Sequence, residues 1–396
     1  MNESGGFRSE DFSLVLGGPL FQLLRRLHLA GDAMELLRWR LVVFSLVAWL
    51  PLLVLSTLEG QLLGGSAALP FLLDWETHVR FLVALPLMIS AELVLHRRLR
   101  FMVKQFHDRN LFPETAVPRL DRVLASALRL RNSVLAEALL LGIVYVGGIH
   151  FLWRHYTAFP ITTWYGVPTA DDVTLSHSGM WFVYVSLPLF QFLMIRWYYR
   201  VGIWMRFLWQ VSRIDLSLVP THPDRVGGLG FLSNSAYAFT ALAAAHGALL
   251  SGWIATRIFQ LGAALPDFTI EIAVYTVLMQ GLVFGPLLVF APQLARAKRA
   301  GLRDYGTLAE RYVREFDAKW LRRATPPNEP FVGSADIQFL ADLSNSFEVV
   351  RTMRIAPVTK NAIVSLAATT LAPIAPLVRA LMPLNELLKT VFAILL

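Results

Sequence analysis

Six polar or charged residues lie inside long apolar stretches of this chain, where an ionisable group is costly and is therefore a candidate for function. They are Glu92, Glu137, Gln191, Arg196, His246 and Gln280. Carboxylates and imidazoles at such positions can line an ion or proton pathway, or they can form buried structural pairs. We expect Arg196 to pair with Glu92 or Glu137, because the helical rise puts all three at similar depth. His246 follows a run of small residues, which favours an interhelical hydrogen bond over a proton relay.

A second set of candidates lies in the loop 215–230, which is rich in proline, glycine, histidine and aspartate. The candidates are Asp215, His222, Asp224, Arg225, Gly227, Gly228 and Gly230. His222 with Asp215 or Asp224 could ligate a metal, and the glycine amides with Arg225 could hold a phosphate. A rigid elbow between two helices is the favoured alternative, because the sequence contains no HExxH or GxxxxGK[ST] motif. Whether a metal binds is left open, and neither a cofactor nor a catalytic residue is predicted.

The composition is typical of a membrane protein. Of the 396 residues 55% are apolar and only 16% are charged, mean hydropathy is +0.52, and several runs reach the ~20 residues that cross a bilayer. The net charge of +8 is therefore interpreted as basic loops that face anionic lipid headgroups, and nucleic acid is not an expected partner. The absence of cysteine excludes disulfides, thiolate metal ligands and cysteine nucleophiles.

Lysine and arginine are concentrated in every second connection between the apolar runs. Segments 1–40, 96–132, 196–234 and 292–360 contain 31 of the 36 basic residues. Positive flanks resist translocation, so these segments and the N-terminus are predicted to be cytoplasmic. The expected fold is an all-α polytopic membrane protein with six to seven transmembrane helices. The spans are predicted near 41–58, 79–95, 134–153, 179–199, 236–257 and 269–291, with a possible seventh at 361–378.

Amphipathic segments are predicted on the cytoplasmic side of this single membrane domain, 1–396. Residues 12–38 are expected to form an interfacial helix. Residues 302–323 and 334–354 are expected to form a helical hairpin, which makes 300–360 a cytoplasmic insertion. Neither a strand nor an internal sequence repeat is predicted. Residues 384–396 either lie outside the membrane or return with 361–378 as a re-entrant hairpin.

Three phrases of the sequence carry a resemblance to known proteins. PTHPDRVGGLGFLS, APQLARAKRAGLRDYG and SADIQFLADLSNSFEVVRTMR together resemble a group of uncharacterised bacterial multi-pass inner-membrane proteins. The resemblance implies a location in the bacterial inner (cytoplasmic) membrane. It implies no activity, substrate or catalytic residue.

Three functions fit this pattern. The favoured one is a homo-oligomeric ion channel or transporter, supported by the buried carboxylates and by prolines inside four predicted helices. The order of the elements is also similar to that of insect chemoreceptor channels, which is an analogy of topology alone. The alternatives are a non-catalytic scaffold that binds a cytoplasmic partner through 300–360, and a membrane-embedded enzyme that uses the loop 215–230. The prolines are Pro51, Pro86, Pro188 and Pro286.

Overall fold

The computed structural model describes residues 12–26, 37–152, 162–168, 173–322 and 335–381, and most of them are helical. The helices are α1 (Pro19–Arg26), α2 (Leu37–Leu58), α3 (Trp75–Asp108), α4 (Val117–Arg131), α5 (Val134–Gly142, continued by Ile143–Leu152), α6 (His177–Val211), α7 (Thr240–Leu261), α8 (Thr269–Phe284), α9 (Ala291–Phe316, continued by Asp317–Leu321), α10 (Ala335–Arg351), α11 (Lys360–Leu371) and α12 (Ala375–Leu381). Short helical turns lie at Phe71–Leu73, Glu114–Ala116, Gly230–Asn234, Ser235–Ala238, Leu265–Phe268, Gly285–Phe290 and Ala372–Ile374.

In the described parts of the chain, five helices are long and apolar enough to cross a membrane. They are α2, α3, α6, the helix Leu265–Leu321 that contains α8 and α9, and the helix Lys360–Val378 that contains α11. Two bent pairs raise the number to seven: Glu114–Arg131 with Val134–Gly148, bent by 44°, and Gly230–Ala238 with Thr240–Leu261, bent by 43°. Every predicted span falls on one of these seven, and the helical class is confirmed; the predicted six to seven spans lie within the range of five to seven that the helices allow.

Helices α3 and α6 share one internal construction. Each begins with an N-cap side chain that accepts a backbone amide three residues later, continues as five α-helical residues, widens into a five-residue π-helix and resumes as Leu-Pro-Leu. Proline has no N–H, and its ring clashes with the carbonyl four residues earlier, which favours such a local widening. In α3 the N-cap is Asp74, the first α-helical turn is Trp75–Val79, the π-helix is Arg80–Ala84 and the Leu-Pro-Leu run is 85–87. In α6 the same parts are Ser176, His177–Trp181, Phe182–Ser186 and 187–189.

This shared construction is a local repeat within α3 and α6. α2 precedes α3 and α5 precedes α6, and a loop connects the helices of each pair. The two loops meet, since the backbones of Leu69 and Thr163 form a parallel bridge and the indole of Trp164 donates to Asp74 at 2.9 Å. The prediction concerned a repeat in the sequence and stays a prediction, because beyond Leu-Pro-Leu the two helices have few residues in common.

The loop between α5 and α6 contains two short strands. β1 (Gly166–Pro168) pairs antiparallel with β2 (Val173–Leu175). Glu59, which follows α2, accepts hydrogen bonds from the amides of His177 and Ser178 and thereby caps the start of α6. The prediction of no strand is wrong to this extent, because strands of three residues are too short to give a periodic sequence signal.

The N-terminal segment departs from the expected interfacial helix over 12–38. Residues 12–18 are not helical, and Gly17 and Gly18 adopt positive φ angles of 135° and 89° that favour glycine. Phe12 is fully buried and packs against Phe207 at the end of α6, with ring centroids 5.5 Å apart. Only α1 is helical among residues 12–26. Residues 27–36, like 384–396, lie outside the described residues.

The predicted hairpin is formed by α9 and α10, which pack against each other. The hydroxyl of Tyr312 donates to the carbonyl of Asp336 at 2.8 Å, and the rings of Tyr312 and Phe339 lie 4.5 Å apart. α9 begins at Ala291 and continues directly from the sixth candidate span, so this arm of the hairpin is longer than the predicted 302–323. Residues 323–334, where the two arms connect, lie outside the described residues.

We predict that Gly247→Ala destabilises the fold by about 1–3 kcal/mol, because α7 and α11 are too close for a side chain there. A Cβ atom at Gly247 would lie 1.9 Å from the carbonyl oxygen of Thr370. Gly281→Ala in α8 is the control, since a Cβ atom there meets nothing within 4 Å. Thermal unfolding in detergent should show a lowered Tm for Gly247→Ala alone. Equal Tm values for the two variants would contradict this packing.

Candidate functional site

Helices α3 and α6 run parallel and define the two ends of the bundle. Phe81 packs against Phe190, and the indole of Trp197 donates to the carbonyl of Met88 at 3.0 Å. The second contact lies seven residues further along both α3 and α6 than the first, so the two helices run in the same direction. We call the end at which α3 and α6 begin the outer end. The end at which they finish, near Asp108 and Val211, is the inner end.

Five buried charged side chains meet between α2, α3, α5 and α6 towards the inner end, and we call them the ion cluster: Arg40, Glu92, Glu137, Arg196 and Arg200. Glu92 contacts Arg40 at 2.5 Å through Oε2, and Arg200 at 2.7 Å and Arg196 at 3.6 Å through Oε1. Arg196 also contacts Glu137 at 3.1 Å. The prediction that Arg196 pairs with Glu92 or Glu137 is confirmed, since it bridges both. Each side chain is less than a tenth exposed.

The ion cluster joins four helices and binds both oxygens of Glu92. Charges removed from water are stable only when they are paired and hydrogen-bonded, so the cluster fixes the relative positions of these helices. In this conformation Glu92 is held by arginines and does not face an open path. Arg40 and Arg200 were not among the predicted site residues, because both lay in segments interpreted as cytoplasmic. The spacing of four residues between Arg196 and Arg200, which puts both on one helix face, is the signal that could have identified Arg200.

Glu137 has a second contact that ties the N-terminal segment to the bundle. Its Oε2 atom accepts the backbone amide of Leu20 at 2.7 Å and so caps the first turn of α1. Nearby, the guanidinium of Arg131 donates to the carbonyl of Ser13 at 2.6 Å. The buried N-terminal segment is therefore held at the inner end by the same carboxylate that Arg196 contacts.

His246 and Gln280 form hydrogen bonds between helices. The Nδ1 atom of His246 lies 2.8 Å from the carbonyl of Leu242, which can only accept, so Nε2 accepts the hydroxyl proton of Tyr198 at 2.6 Å. The expected interhelical hydrogen bond of His246 is present. The amide of Gln280 donates to the carbonyl of Ile363 at 3.0 Å and joins α8 to α11.

Asp224 organises the glycine-rich loop. Its carboxylate accepts the backbone amides of Val226 at 2.9 Å, Gly228 at 3.2 Å and Gly230 at 2.8 Å. Burial alone would raise the pKa of this carboxyl, but the three amides together with His222 hold the pKa below its ordinary value. The glycine amides do hold an anion, as the sequence suggested, but that anion is the side chain of Asp224 rather than a phosphate.

The rest of the loop supports the elbow interpretation. His222 Nδ1 lies 2.9 Å from Asp224, whereas Asp215 is exposed beside a surface recess. No group of three or more residues that could ligate a metal occurs in the described parts of the chain. Arg225 and Gly227 adopt positive φ angles of 57° and 64°, and the carbonyl of Arg225 accepts the amide of Arg354 at 2.7 Å. The loop, which follows α6 in the chain, thus binds the segment that follows α10 through a backbone hydrogen bond.

A cavity of about 490 Å³ lies between α3, α6, α7 and α8 towards the outer end. Its walls are mostly apolar, from residues such as Leu187, Phe190, Leu249 and Val274. The polar groups in its lining are Glu76, Arg80, Gln191, Glu271 and Tyr275. Such a mixture of apolar walls and a few polar groups is typical of small-molecule sites. We call this space the outer cavity.

Only Gln191 of the predicted residues lines the outer cavity. Glu76 and Arg80 form an ion pair one helical turn apart, and Arg80 was overlooked although it is a basic residue at the non-cytoplasmic end of a predicted span. At 100° per residue, Arg196 and Arg200 lie roughly 140–180° around α6 from Gln191. The outer cavity and the ion cluster are therefore separate sites on opposite faces of one helix.

The matching π-helical segments lie at the level of the outer cavity. Arg80 belongs to the π-helix of α3, and Leu187 follows directly on that of α6. π-Helical segments are frequent at functional sites, and they weaken the regular hydrogen-bond ladder at the point where a helix must bend. Two of the four helices that carry the ion cluster, α3 and α6, are thus interrupted beside the cavity.

No family profile, no curated protein and no solved structure matches this chain. The resemblance of the loop and hairpin phrases to a group of bacterial membrane proteins stays a prediction. The functional inference therefore depends on the geometry of the ion cluster and of the outer cavity.

We predict that Glu92→Gln destabilises the protein by about 3–5 kcal/mol, because it leaves three buried guanidiniums with one carboxylate. Glu271→Gln is the matched control, since Glu271 is exposed and forms no ion pair with the other described residues. Unfolding by a denaturing detergent, followed by tryptophan fluorescence, measures both. A stability of Glu92→Gln equal to that of the control would show that the ion cluster does not hold the helices together.

We predict that Asp224→Asn loosens the loop, because an amide nitrogen cannot accept the bond from Gly230. Hydrogen exchange at Gly230 should accelerate about 10- to 100-fold, as for the loss of one charge-assisted hydrogen bond. The pKa of Asp224 is lowered in the folded chain, so its contribution is present at neutral pH and is lost as the pH falls through that lowered pKa. Because the intrinsic exchange of amides itself slows in acid, protection factors are compared. Acid should lower the protection factor of Gly230 in the natural chain but not in Asp224→Asn. The same acid dependence in both would refute this role.

Proposed function

We propose that the chain is an integral protein of the bacterial inner membrane with a cytoplasmic N-terminus. Large apolar side chains cover the outward faces of the candidate spans, including Val146, Ile270 and Val277, which are 76%, 75% and 68% exposed. A surface of this kind is stable in lipid and unstable in water. The connections that are rich in lysine and arginine flank the inner end of the bundle. Because such connections stay in the cytoplasm, they support an orientation in which the inner end faces the cytoplasm.

We further propose that the protein is a transporter of the carrier type, whose substrate site is the outer cavity. The observation that carries this proposal is the pair of matching π-helical segments, each followed by a proline, in α3 and α6, two of the four helices that line the cavity. Repeated helix pairs with interrupted helices at a central site are a common construction of membrane carriers. The apolar walls with a few polar groups favour a small amphipathic substrate.

One group of helices and one separate helix provide the parts that such a carrier needs. The ion cluster links α2, α3, α5 and α6, α7 packs along the length of α3, and α11 packs on α7. α8 forms the wall of the outer cavity that faces α6. At the inner end α6 packs against Gly285–Phe290, while the cavity separates α6 from α8 further out. Movement of α8 against α6 would open and close the cavity while the ion cluster stays intact.

A carrier fits this geometry better than a channel. The buried carboxylates that could line an ion path, Glu92 and Glu137, are both paired with arginine and buried. The enzyme alternative has little support, because the carboxylate of Asp224 is engaged by backbone amides.

The scaffold alternative keeps one observation in its favour. On the α9–α10 hairpin the apolar side chains of Leu308, Val313 and Phe339 are 45%, 49% and 46% exposed. Exposed apolar groups outside a membrane favour contact with another protein surface. A second copy of the chain or a cytoplasmic partner at 300–360 is compatible with a carrier as well as with a scaffold.

We predict that the distance across the outer cavity has two values in a bilayer. Spin labels at Met180→Cys on α6 and Ile270→Cys on α8 report it, and the chain has no other cysteine to label. Val54→Cys with Leu82→Cys, both within the group held by the ion cluster, is the control pair. Pulsed electron paramagnetic resonance in nanodiscs should give two populations across the cavity and one for the control. One narrow population for both pairs would contradict a carrier.

A further inference from the structure

The ion cluster contains more positive than negative charge. Among the described residues, its three arginines, Arg40, Arg196 and Arg200, meet two carboxylates, Glu92 and Glu137. One positive charge is therefore uncompensated among groups that are less than a tenth exposed. An isolated charge in such surroundings costs several kcal/mol, which favours a further negative partner.

Donor groups on two arginines of the ion cluster and on a tryptophan one helical turn further along α6 have no acceptor. Within the described residues, Arg40 Nε and Arg200 Nη2 are buried and lack a hydrogen-bond partner, as does the indole Nε1 of Trp204. Trp204 lies four residues after Arg200, so the two donors are on one face of α6. Arg40 and Arg200 hold the two oxygens of Glu92, which brings their guanidiniums together. Buried donors without acceptors are rare in folded proteins and call for an explanation.

We propose that the ion cluster binds one small monovalent anion, of which chloride is the probe. A monovalent anion would balance the charge and accept the donors of Arg200 and Trp204. A divalent anion such as sulfate would leave a net negative charge in the same buried volume. This inference is independent of the carrier proposal, because it concerns the opposite face of α6 and the static stability of the inner end.

The first test is the dependence of stability on chloride. Replacing gluconate by chloride at constant ionic strength should raise the Tm of the detergent-solubilised protein along a saturable curve, because a ligand of the folded state stabilises it by mass action. Sulfate should not reproduce the curve. Equilibrium dialysis with radiolabelled chloride should give one ion per chain. A Tm that is the same in chloride and gluconate, or the absence of saturable binding, would overturn the proposal.

The second test separates binding from structure by a conservative substitution. Trp204→Phe keeps every charge and the ring stacked on Phe207, and removes only the indole N–H. The concentration of chloride at half-saturation should rise about tenfold, as expected for the loss of one hydrogen bond to an ion. Trp209→Phe, in a residue that is 48% exposed, is the control and should leave the curve unchanged. Equal curves for both variants would show that Trp204 is not a ligand and that the proposed site is wrong.

Discussion

Three guanidiniums and two carboxylates share one buried volume at the inner end of the bundle, and much of the structure depends on that contact. Glu92 binds arginines from α2 and α6, while Glu137 binds Arg196 and caps α1. Charged groups are tolerated in apolar surroundings only when they are paired, so separating any of these helices would expose an unpaired charge. The ion cluster therefore makes one body of these four helices.

The outer cavity follows from the same arrangement. Because the ion cluster holds α3 and α6 near the middle of each helix, the interruption by π-helix and proline at Pro86 and Pro188 affects mainly their outer halves. There α7 and α8 form the opposite wall. A rigid inner end and a deformable outer end on the same two helices are the physical basis for the proposed carrier.

The sequence predicted the parts that depend on hydropathy and depth, which are the seven candidate spans and the partnership of Arg196 with the buried carboxylates. It missed Arg40 and Arg200, because span boundaries read from hydropathy are uncertain by several residues. It missed the outer cavity, because four helices distant in sequence line it. For the loop 215–230 it left a metal site, a phosphate site and a rigid elbow open, and only the folded backbone shows that the glycine amides bind the chain's own carboxylate of Asp224.

The most direct test of the central claim is electron cryomicroscopy of the protein in lipid nanodiscs, sorted into conformational classes. We predict at least two classes, in which α8 is displaced relative to α3, α6 and α7 and the outer cavity changes in volume. In every class the contacts of Glu92 with Arg40 and Arg200 should be intact. A class in which Glu92 has separated from these arginines while the outer cavity is unchanged would contradict the claim.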